Sequence, residues 1–337
     1  MRLTLAKSDG TYDALNDYMR SAREQLACSA AAVCMLQHGK IVHEWYAGEH
    51  DFSGEGRPVG PDSQFHLASV RKTYLGFAIS LAIEEGRIGS VDDAVTIYLS
   101  DLDAELLRHT TLRHLLTHTH GLKGGGGHTR MFPPGTDWSY NNSGVNLLTR
   151  IVENVFGCPL AELMRERVFG PLGFAATGWR KERSEQLLWT DETYAGERGD
   201  EANLFASARE LAYWGQLHLS LGEAGGRQLF PPSVFQRATA VSSPASLPET
   251  LPRNGFFWWV QDRPRAISEL GDRLPASSYQ SLGLYGCAVL VIPEGNIVAV
   301  RMLNQLGGNP PGYDYLDDIR NFGNKVWDCA RKAELMR

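Results

Sequence analysis

The sequence predicts an α/β protein whose α/β domain is interrupted along the chain by a mainly helical domain. Three observations support this fold class. Strand-like runs occur near both ends, helical patterns fill the region from residue 69 to about residue 200, and an amphipathic helix is expected towards each end. Strands that stand on both sides of a helical stretch are most simply placed in one sheet. We assign residues 1–65 and 203–337 to the α/β domain and residues 66–202 to the helical domain.

The first predicted elements are a helix and a β-hairpin. The helix covers residues 11–26, where the apolar residues Leu15, Tyr18, Met19 and Ala22 recur at helical spacing. Two strand-like runs lie on either side of residues 38–40, "HGK", and predict the hairpin. A turn-rich loop at residues 50–64 follows.

The next elements are helices, and strands return only late in the chain. We expect helices to end at Gly86, Gly157 and Gly173. The late strand signals are "NGFFWWVQD", "LYGCAVLVIPEG" and "NIVAVRMLNQ", of which the last two are joined by a turn at "PEGN". A final amphipathic helix is predicted over residues 314–333.

Composition and charge exclude several classes of protein. The 337 residues are 43% hydrophobic and 21% charged, and the net charge of -6 offers no basic surface for nucleic acid or an anionic membrane. No signal peptide and no apolar run of membrane-spanning length is visible. The five cysteines are dispersed and are interpreted as reduced thiols, so we expect a cytoplasmic protein. Nothing in the sequence indicates an oligomeric state.

One short motif combines a serine with a lysine at the start of a helix. In "FHLASVRKTYLGFAISL", Ser69 and Lys72 are three residues apart and therefore share a helix face. A serine hydroxyl is a weak nucleophile that needs a neighbouring base, and a partly desolvated lysine can act as one. By itself the pair is equally compatible with a helix start followed by a solvated charge.

A second motif places a phenol and an amide at another helix start. Tyr140 is the only tyrosine of this chain that has an asparagine, Asn142, two residues later. The phenol is able to relay the serine proton, and the amide to hold a substrate carbonyl and the lysine. The structural alternative is that Asn142 caps the following helix while Tyr140 packs.

Together these motifs resemble the serine β-lactamase and penicillin-binding-protein superfamily, in particular its class C-like and esterase-like branch. The resemblance extends over nearly the whole chain, through "SVDDAVTIYLSD", "TTLRHLLTHTHGL", "FPPGTDWSYNNSGVNLL", "VFGPLGFAATGW" and "IPEGNIVAVRMLN". It implies a β-lactamase-like (transpeptidase-like) fold, in which an antiparallel sheet with flanking helices and an inserted helical domain enclose the active site. It also implies that Ser69 is acylated, Lys72 is its base and Tyr140 shuttles the proton, with Asn142 facing the substrate and Lys72.

The third motif of that superfamily is altered in this chain. Where penicillin-recognising relatives carry Lys-Thr-Gly or Lys-Ser-Gly, we align Leu284-Tyr285-Gly286, and no lysine lies nearby. Gly286 suits a close backbone approach to the substrate. The backbone N–H of Cys287 is expected to be the second oxyanion donor beside that of Ser69. A slip of one residue in this alignment, or a merely buried strand, is the alternative.

Other kinds of site are less well supported. His118, His120 and His128 suggest a metal site, but the residues that a binuclear-zinc lactamase requires after its paired histidines are missing, so no metal and no cofactor is expected. The chain also has no G-x-S-x-G motif. Trp138, Trp258 and Trp259 are candidates for lining a substrate pocket, and packing in the core is equally compatible with their sequence positions.

These observations predict a serine hydrolase that forms an acyl-enzyme on Ser69 and acts on a small-molecule ester or amide. The alternatives are an acyltransferase on the same scaffold, a β-lactamase or D-Ala-D-Ala peptidase, and, least favoured, a binding module without catalysis. The absence of the third-motif lysine and of an export signal favours intracellular ester or amide chemistry.

Overall fold

The computed structural model describes residues 10–124, 129–188 and 202–335. Its strands are β1 (Ala30–Gln37), β2 (Lys40–Gly48), β3 (Gln64–His66), β4 (Thr177–Trp179), β5 (Leu187–Leu188), β6 (Leu204–Ser207), β7 (Glu223–Ala224), β8 (Arg227–Gln228), β9 (Trp259–Val260), β10 (Tyr279–Leu282), β11 (Ala288–Ile292) and β12 (Ile297–Leu303). Its α-helices are α1 (Asp13–Gln25), α2 (Lys72–Glu84), α3 (Leu112–Leu116), α4 (Ser143–Phe156), α5 (Leu160–Met164), α6 (Gly170–Leu172), α7 (Ala208–Leu219), α8 (Pro232–Thr239) and α9 (Tyr315–Leu335). Short 3₁₀ turns cover Ala68–Arg71, Val95–Ile97 and Pro293–Gly295, and a π-helical turn covers Arg165–Phe169.

The main sheet has six antiparallel strands in the order β2-β1-β12-β11-β10-β9. The pairing of β1 with β12 joins strands from distant parts of the chain, with Ala31 opposite Leu303 and Gln37 opposite Ile297. The predicted hairpin is present, because β1 and β2 turn through His38 and Gly39, both of which have a positive φ. The predicted turn between the last two strands is also present, at Pro293–Gly295.

Both faces of the main sheet are covered by helices. Alternate residues of β1 point to opposite sides, so Ala31 and Val33 pack with α1 and α9, while Ala32 and Cys34 pack with α2 and α7. The sheet therefore lies between two apolar layers. This arrangement of an antiparallel sheet with flanking helices confirms the predicted fold class.

A second, smaller sheet has the strand order β4-β6-β3-β5. Two of its strands, β4 and β5, lie inside the stretch that we expected to be mainly helical. They are only three and two residues long, which leaves little periodic signal in the sequence. This sheet matters for the site because β3 leads directly into the Ala68–Arg71 turn.

Helix α2 runs through the apolar interior. Its residues from Lys72 to Ala82 are all buried, which is typical of a helix that is enclosed on every side. Helices α4 and α6 end as expected, since Gly157 and Gly173 follow them in the left-handed conformation. In the three described ranges, no helix has both the length and the apolar character needed to cross a bilayer.

Candidate active site

Ser69 lies on a tight turn between β3 and α2. The turn begins at Ala68, whose φ of 45° is rare for a residue with a side chain and costs of order 1–3 kcal/mol. The turn is held by His66, whose Nδ1 accepts a hydrogen bond from the Ala68 N–H at 3.0 Å. Ser69 itself is half-buried, so the residue is partly open to solvent at a turn whose backbone is held by His66.

Lys72 is the first residue of α2 and is almost completely buried, with 2% of its surface exposed. Its Nζ donates a hydrogen bond to Ser69 Oγ at 3.0 Å and a second one to the Tyr140 hydroxyl. Burial, assisted by the neighbouring charge of Arg71, lowers the pKa of Lys72 from 10.5 to about 7. A large fraction of Lys72 is therefore neutral near pH 7 and able to accept a proton.

Tyr140 lies three residues before the first residue of α4 and faces the same lysine. The Lys72 Nζ is 4.2 Å from the centre of the Tyr140 ring, and the phenol is also hydrogen-bonded to Ser69. The residue keeps 44% of its surface exposed, yet its hydroxyl lies among protein atoms, and this desolvation raises the pKa of Tyr140. The serine, lysine and tyrosine thus form one hydrogen-bonded group.

An aromatic cluster supports the Tyr140 ring. His118 lies 4.5 Å from it, centre to centre, and also contacts Phe257, while the Trp138 ring is 6.5 Å from it. Burial first, and then the charge of Lys72, holds the pKa of His118 well below its ordinary range, so this imidazole is neutral. We did not predict this role for His118. Its sequence neighbours, Thr117 and Thr119, carry no signal of an aromatic contact.

A carboxyl group also lies near this cluster. Glu269 is hydrogen-bonded to the Tyr315 side chain and interacts electrostatically with Tyr140. Burial raises the pKa of Glu269 to about 7. A second group near the site therefore titrates in the same pH range as Lys72.

The structure contradicts the expected contact of Asn142 with Lys72. Asn142 is exposed at the N-terminus of α4, and among the described residues its amide makes no hydrogen bond to Lys72. The neighbouring Asn141 fixes the turn instead, because its Oδ1 accepts the Ser143 N–H at 2.9 Å and its Nδ2 donates to the Leu122 carbonyl at 3.1 Å. A Tyr-x-Asn motif does not specify which of two adjacent asparagines turns inwards.

The predicted third motif lies on the turn between β10 and β11. Gly286 has a φ of 89°, and a Cβ there would meet the Leu303 side chain at 2.9 Å, so this turn itself requires glycine. Tyr285 packs edge-on against His66 at 5.0 Å, next to the turn that carries Ser69. Leu284, which we align with the lysine of the third motif, is 78% exposed.

Two backbone donors at these turns are free. Within the described part of the chain, neither the Ser69 N–H nor the Cys287 N–H donates a hydrogen bond to a protein group. The turn before β11 and the turn that carries Ser69 are in close contact at Gly283, because a Cβ on Gly283 would lie 2.3 Å from the Leu67 carbonyl oxygen. The Cys287 thiol is buried between the carbonyls of His66 and Leu303, and burial raises its pKa to about 12. Its backbone, rather than its sulfur, is available for chemistry.

Trp258 does not line a pocket. It is completely buried and packs against His218 and Tyr279, so the core interpretation is correct and the substrate-contact prediction is wrong. The other two candidates, Trp138 and Trp259, have their rings 5.3 Å apart, and the Trp138 ring lies 6.5 Å from that of Tyr140.

The histidines considered for metal binding have structural contacts. His118 packs on Tyr140, and His120 Nδ1 accepts the Leu122 N–H at 3.0 Å, while His128 lies outside the described residues. Among the residues that the structure describes, no group of three or more His, Cys, Asp or Glu side chains is arranged to hold a metal ion.

Comparison with known proteins places this arrangement in a family. A family model described as Beta-lactamase matches residues 15–322. An uncharacterized protein of Alkalihalophilus pseudofirmus is 40% identical over 329 residues, covering 94% of this chain and 96% of that protein. Esterase EstB of Burkholderia gladioli is 27% identical over 218 residues, covering 54% of this chain and 53% of the esterase.

Solved structures show the same fold. A putative β-lactamase from Bacteroides dorei superposes with a TM-score of 0.77 at 17% identity, over 95% of this chain and 99% of that one. EstCE1, described as a hydrolase with promiscuous acyltransferase activity, gives a TM-score of 0.73 at 19% identity, over 93% and 98%. Since the family model spans nearly the whole chain, and the fold agrees with it, this protein belongs to the β-lactamase family.

Proposed function

We propose that this protein is a serine hydrolase that forms an acyl-enzyme on Ser69 and acts on a small-molecule ester or amide. The observation that carries the proposal is the position of Lys72, whose buried Nζ contacts both Ser69 Oγ and the Tyr140 hydroxyl. Acyl transfer needs a nucleophile, a base of lowered pKa and a second proton carrier, all within hydrogen-bond distance of one another.

The acylation step follows from these contacts. Ser69 Oγ attacks the substrate carbonyl carbon and passes its proton to neutral Lys72, directly or through Tyr140. The carbonyl oxygen gains negative charge, and the N–H groups of Ser69 and Cys287 are the proposed donors that stabilise it. When the tetrahedral intermediate collapses, the leaving group departs with the proton that Lys72 and Tyr140 return to it.

The deacylation step uses the same groups in the reverse order. Water, held near the acyl carbon, gives a proton to the Lys72–Tyr140 pair and attacks the ester formed with Ser69. The acid product leaves as Ser69 Oγ takes the proton back. An alcohol or amine in place of water gives acyl transfer, and the likeness to EstCE1 makes acyl transfer the second candidate activity.

Esters or simple amides suit this site better than penicillins. The position of the carboxylate-binding lysine of penicillin-recognising relatives is taken by Leu284, which is largely exposed and cannot bind an anion. The curated relatives include an esterase and a D-aminopeptidase, and both activities fit the proposed chemistry. The proposal includes neither nucleic acid nor a membrane as a partner, and a cytoplasmic location remains a prediction.

The test is acylation of Ser69. The protein is incubated with p-nitrophenyl butyrate, quenched in acid and digested, and peptides are examined by mass spectrometry for a butyryl group. We expect the modification on Ser69, a burst of nitrophenol, and no turnover by Ser69→Ala. Ser80→Ala, which removes a hydroxyl from the far part of α2, is the matched control and should keep wild-type rates. Turnover by Ser69→Ala would exclude the proposal, and so would the failure of a panel of esters and amides to acylate Ser69.

A further inference from the structure

Arg301 is a charged residue in the middle of an apolar strand. It lies in β12 with 2% of its surface exposed, between neighbours that belong to the core. A buried guanidinium is costly unless all of its donors are satisfied. The contacts of Arg301 show what its charge is used for.

Each nitrogen of the Arg301 guanidinium has a partner. Nη1 donates to the Tyr18 hydroxyl at 2.6 Å, and Nη2 lies 2.7 Å from Asp318 Oδ2. Nε donates to the Gly286 carbonyl at 3.1 Å. Two contacts therefore anchor the side chain between α1 and α9, and the third reaches the turn beside the candidate active site.

Asp318 is itself held from two sides. Tyr18 and Tyr313 donate their hydroxyls to its two oxygens at 2.6 and 2.5 Å. Burial by itself would raise the pKa of Asp318, but the Arg301 charge and these hydrogen bonds outweigh burial and lower it. The carboxylate stays ionised, so the guanidinium has a fixed counter-charge and a fixed orientation.

The contact with Gly286 decides where the next N–H points. Among the described residues all peptide bonds are trans, so the C=O of Gly286 and the N–H of Cys287 point in opposite directions. Since the carbonyl faces Arg301, the Cys287 N–H points away from the guanidinium. The Cys287 carbonyl accepts the Gly283 N–H at 2.8 Å, and Gly283 in turn packs against Leu67, two residues before Ser69.

We propose that Arg301 is a positioning residue that holds the Gly286–Cys287 peptide so that the Cys287 N–H points to the carbonyl oxygen under attack. This inference rests on the acyl-enzyme chemistry proposed at Ser69. The turn needs such a restraint because glycine is the most flexible residue type, and Gly286 therefore permits the Gly286–Cys287 peptide to flip. A guanidinium bound to the carbonyl also polarises the peptide and strengthens its N–H as a donor.

The experiment compares variants of this network with a matched arginine elsewhere. Arg301→Met is combined with Asp318→Asn, so that no unpaired charge is left in the core. Arg301→Lys keeps the charge but loses the planar fork. Arg237→Met is the control. Like Arg301, Arg237 contacts both a backbone carbonyl and a carboxylate, here those of Ser80 and Glu84, but at the far part of α2.

Four quantities are measured for each variant: kcat and KM for p-nitrophenyl butyrate, the inhibition constant of phenylboronic acid, which forms a tetrahedral adduct on serine, and the thermal midpoint. Concentrations of active Ser69 are set by fluorophosphonate titration. For the double variant we expect kcat to fall about 10- to 100-fold with little change in KM, and boronate binding to weaken by a similar factor. Arg301→Lys should lie between this variant and the wild type, and Arg237→Met should lose only thermal stability.

The outcomes separate the two proposals. If kcat per titrated Ser69 and boronate affinity are unchanged while the thermal midpoint falls, Arg301 has a structural role only and the inference is overturned. An equal loss in Arg237→Met overturns it as well, since the effect is then a general loss of stability. If the wild-type protein itself is neither titrated nor inhibited, the acyl-enzyme proposal fails, and the role of Arg301 fails with it.

Discussion

The pKa of Lys72 makes a quantitative prediction about the pH dependence of activity. A shift from 10.5 to about 7 leaves roughly half of the lysine neutral at pH 7, compared with about one molecule in 3000 for an unperturbed lysine. Because neutral Lys72 is the base, kcat/KM should rise with pH, reach half of its maximum near pH 7, and be about 100-fold below the plateau at pH 5. Lys72→Arg cannot deprotonate in this range and should be nearly inactive at every pH.

The same pKa shift makes the stability of the folded protein depend on pH. Below pH 7 lysine is protonated in both the folded and the unfolded chain, so the folded protein bears the full cost of a buried ammonium. Between pH 7 and 10.5 the folded protein has lost this proton and the unfolded chain has not, so this contribution to stability rises with pH, by roughly 5 kcal/mol over the window. Lys72→Met should therefore be more stable than wild type at pH 6, and its advantage should shrink towards pH 10.

Initial rates with an activated ester, corrected for alkaline hydrolysis, and urea unfolding at each pH are the two assays. Glu269 requires a control, because burial raises its pKa to about 7 as well. In Glu269→Gln the activity midpoint near pH 7 should persist. A midpoint that disappears in Glu269→Gln, or that lies near pH 10 in the wild type, would refute the assignment of the base to Lys72.

Three further predictions concern the other parts of the site. Tyr140→Phe should lower kcat about 10²-fold or more, since it removes only the hydroxyl bonded to Lys72, and wild-type kcat in that variant contradicts a shared proton. Gly286→Ala should lower the free energy of unfolding by about 1–3 kcal/mol, because it combines the strain of a φ of 89° with a Cβ contact to Leu303. The control Gly307→Ala, with a φ of 90° and no atom within 4 Å of its Cβ, should lose less stability. An equal loss in both variants argues against the Leu303 contact. Penicillins and cephalosporins should be poor substrates in an absorbance assay, because the missing lysine weakens their recognition about ten- to a hundred-fold. Leu284→Lys should improve their hydrolysis. A wild-type kcat/KM of ~10⁶ M⁻¹s⁻¹ for these compounds contradicts the prediction.

Sequence patterns predicted the elements whose structure depends on residues that are close together in the chain. The β1–β2 hairpin follows from two apolar runs around His38 and Gly39, and both terminal helices follow from their apolar spacing. Ser69 and Lys72 are neighbours because three residues make nearly one helical turn. Their contact with Tyr140, 68 residues away, was expected from resemblance alone, since spacing carries no information at that range.

The errors concern orientation within correctly recognised segments. Asn141 and Asn142 are chemically identical, and only the turn geometry decides which amide is held. Trp258 and Trp259 are adjacent on one segment, and their neighbours decide which of them approaches Trp138. Arg301 was overlooked inside "NIVAVRMLN", although a lone charge in an apolar strand is a visible signal of a buried partner.

The pairing of β1 with β12 has a consequence for biosynthesis. β1 cannot complete its hydrogen bonds until β12 has left the ribosome, some 260 residues later, which at 5–20 residues per second takes tens of seconds. Throughout that interval the nascent hairpin exposes an unpaired, apolar edge of the kind that recruits other chains. Slower translation should therefore lower the soluble yield unless a chaperone shields that edge, whereas a circular permutant that places β12 directly before β1 should escape this dependence.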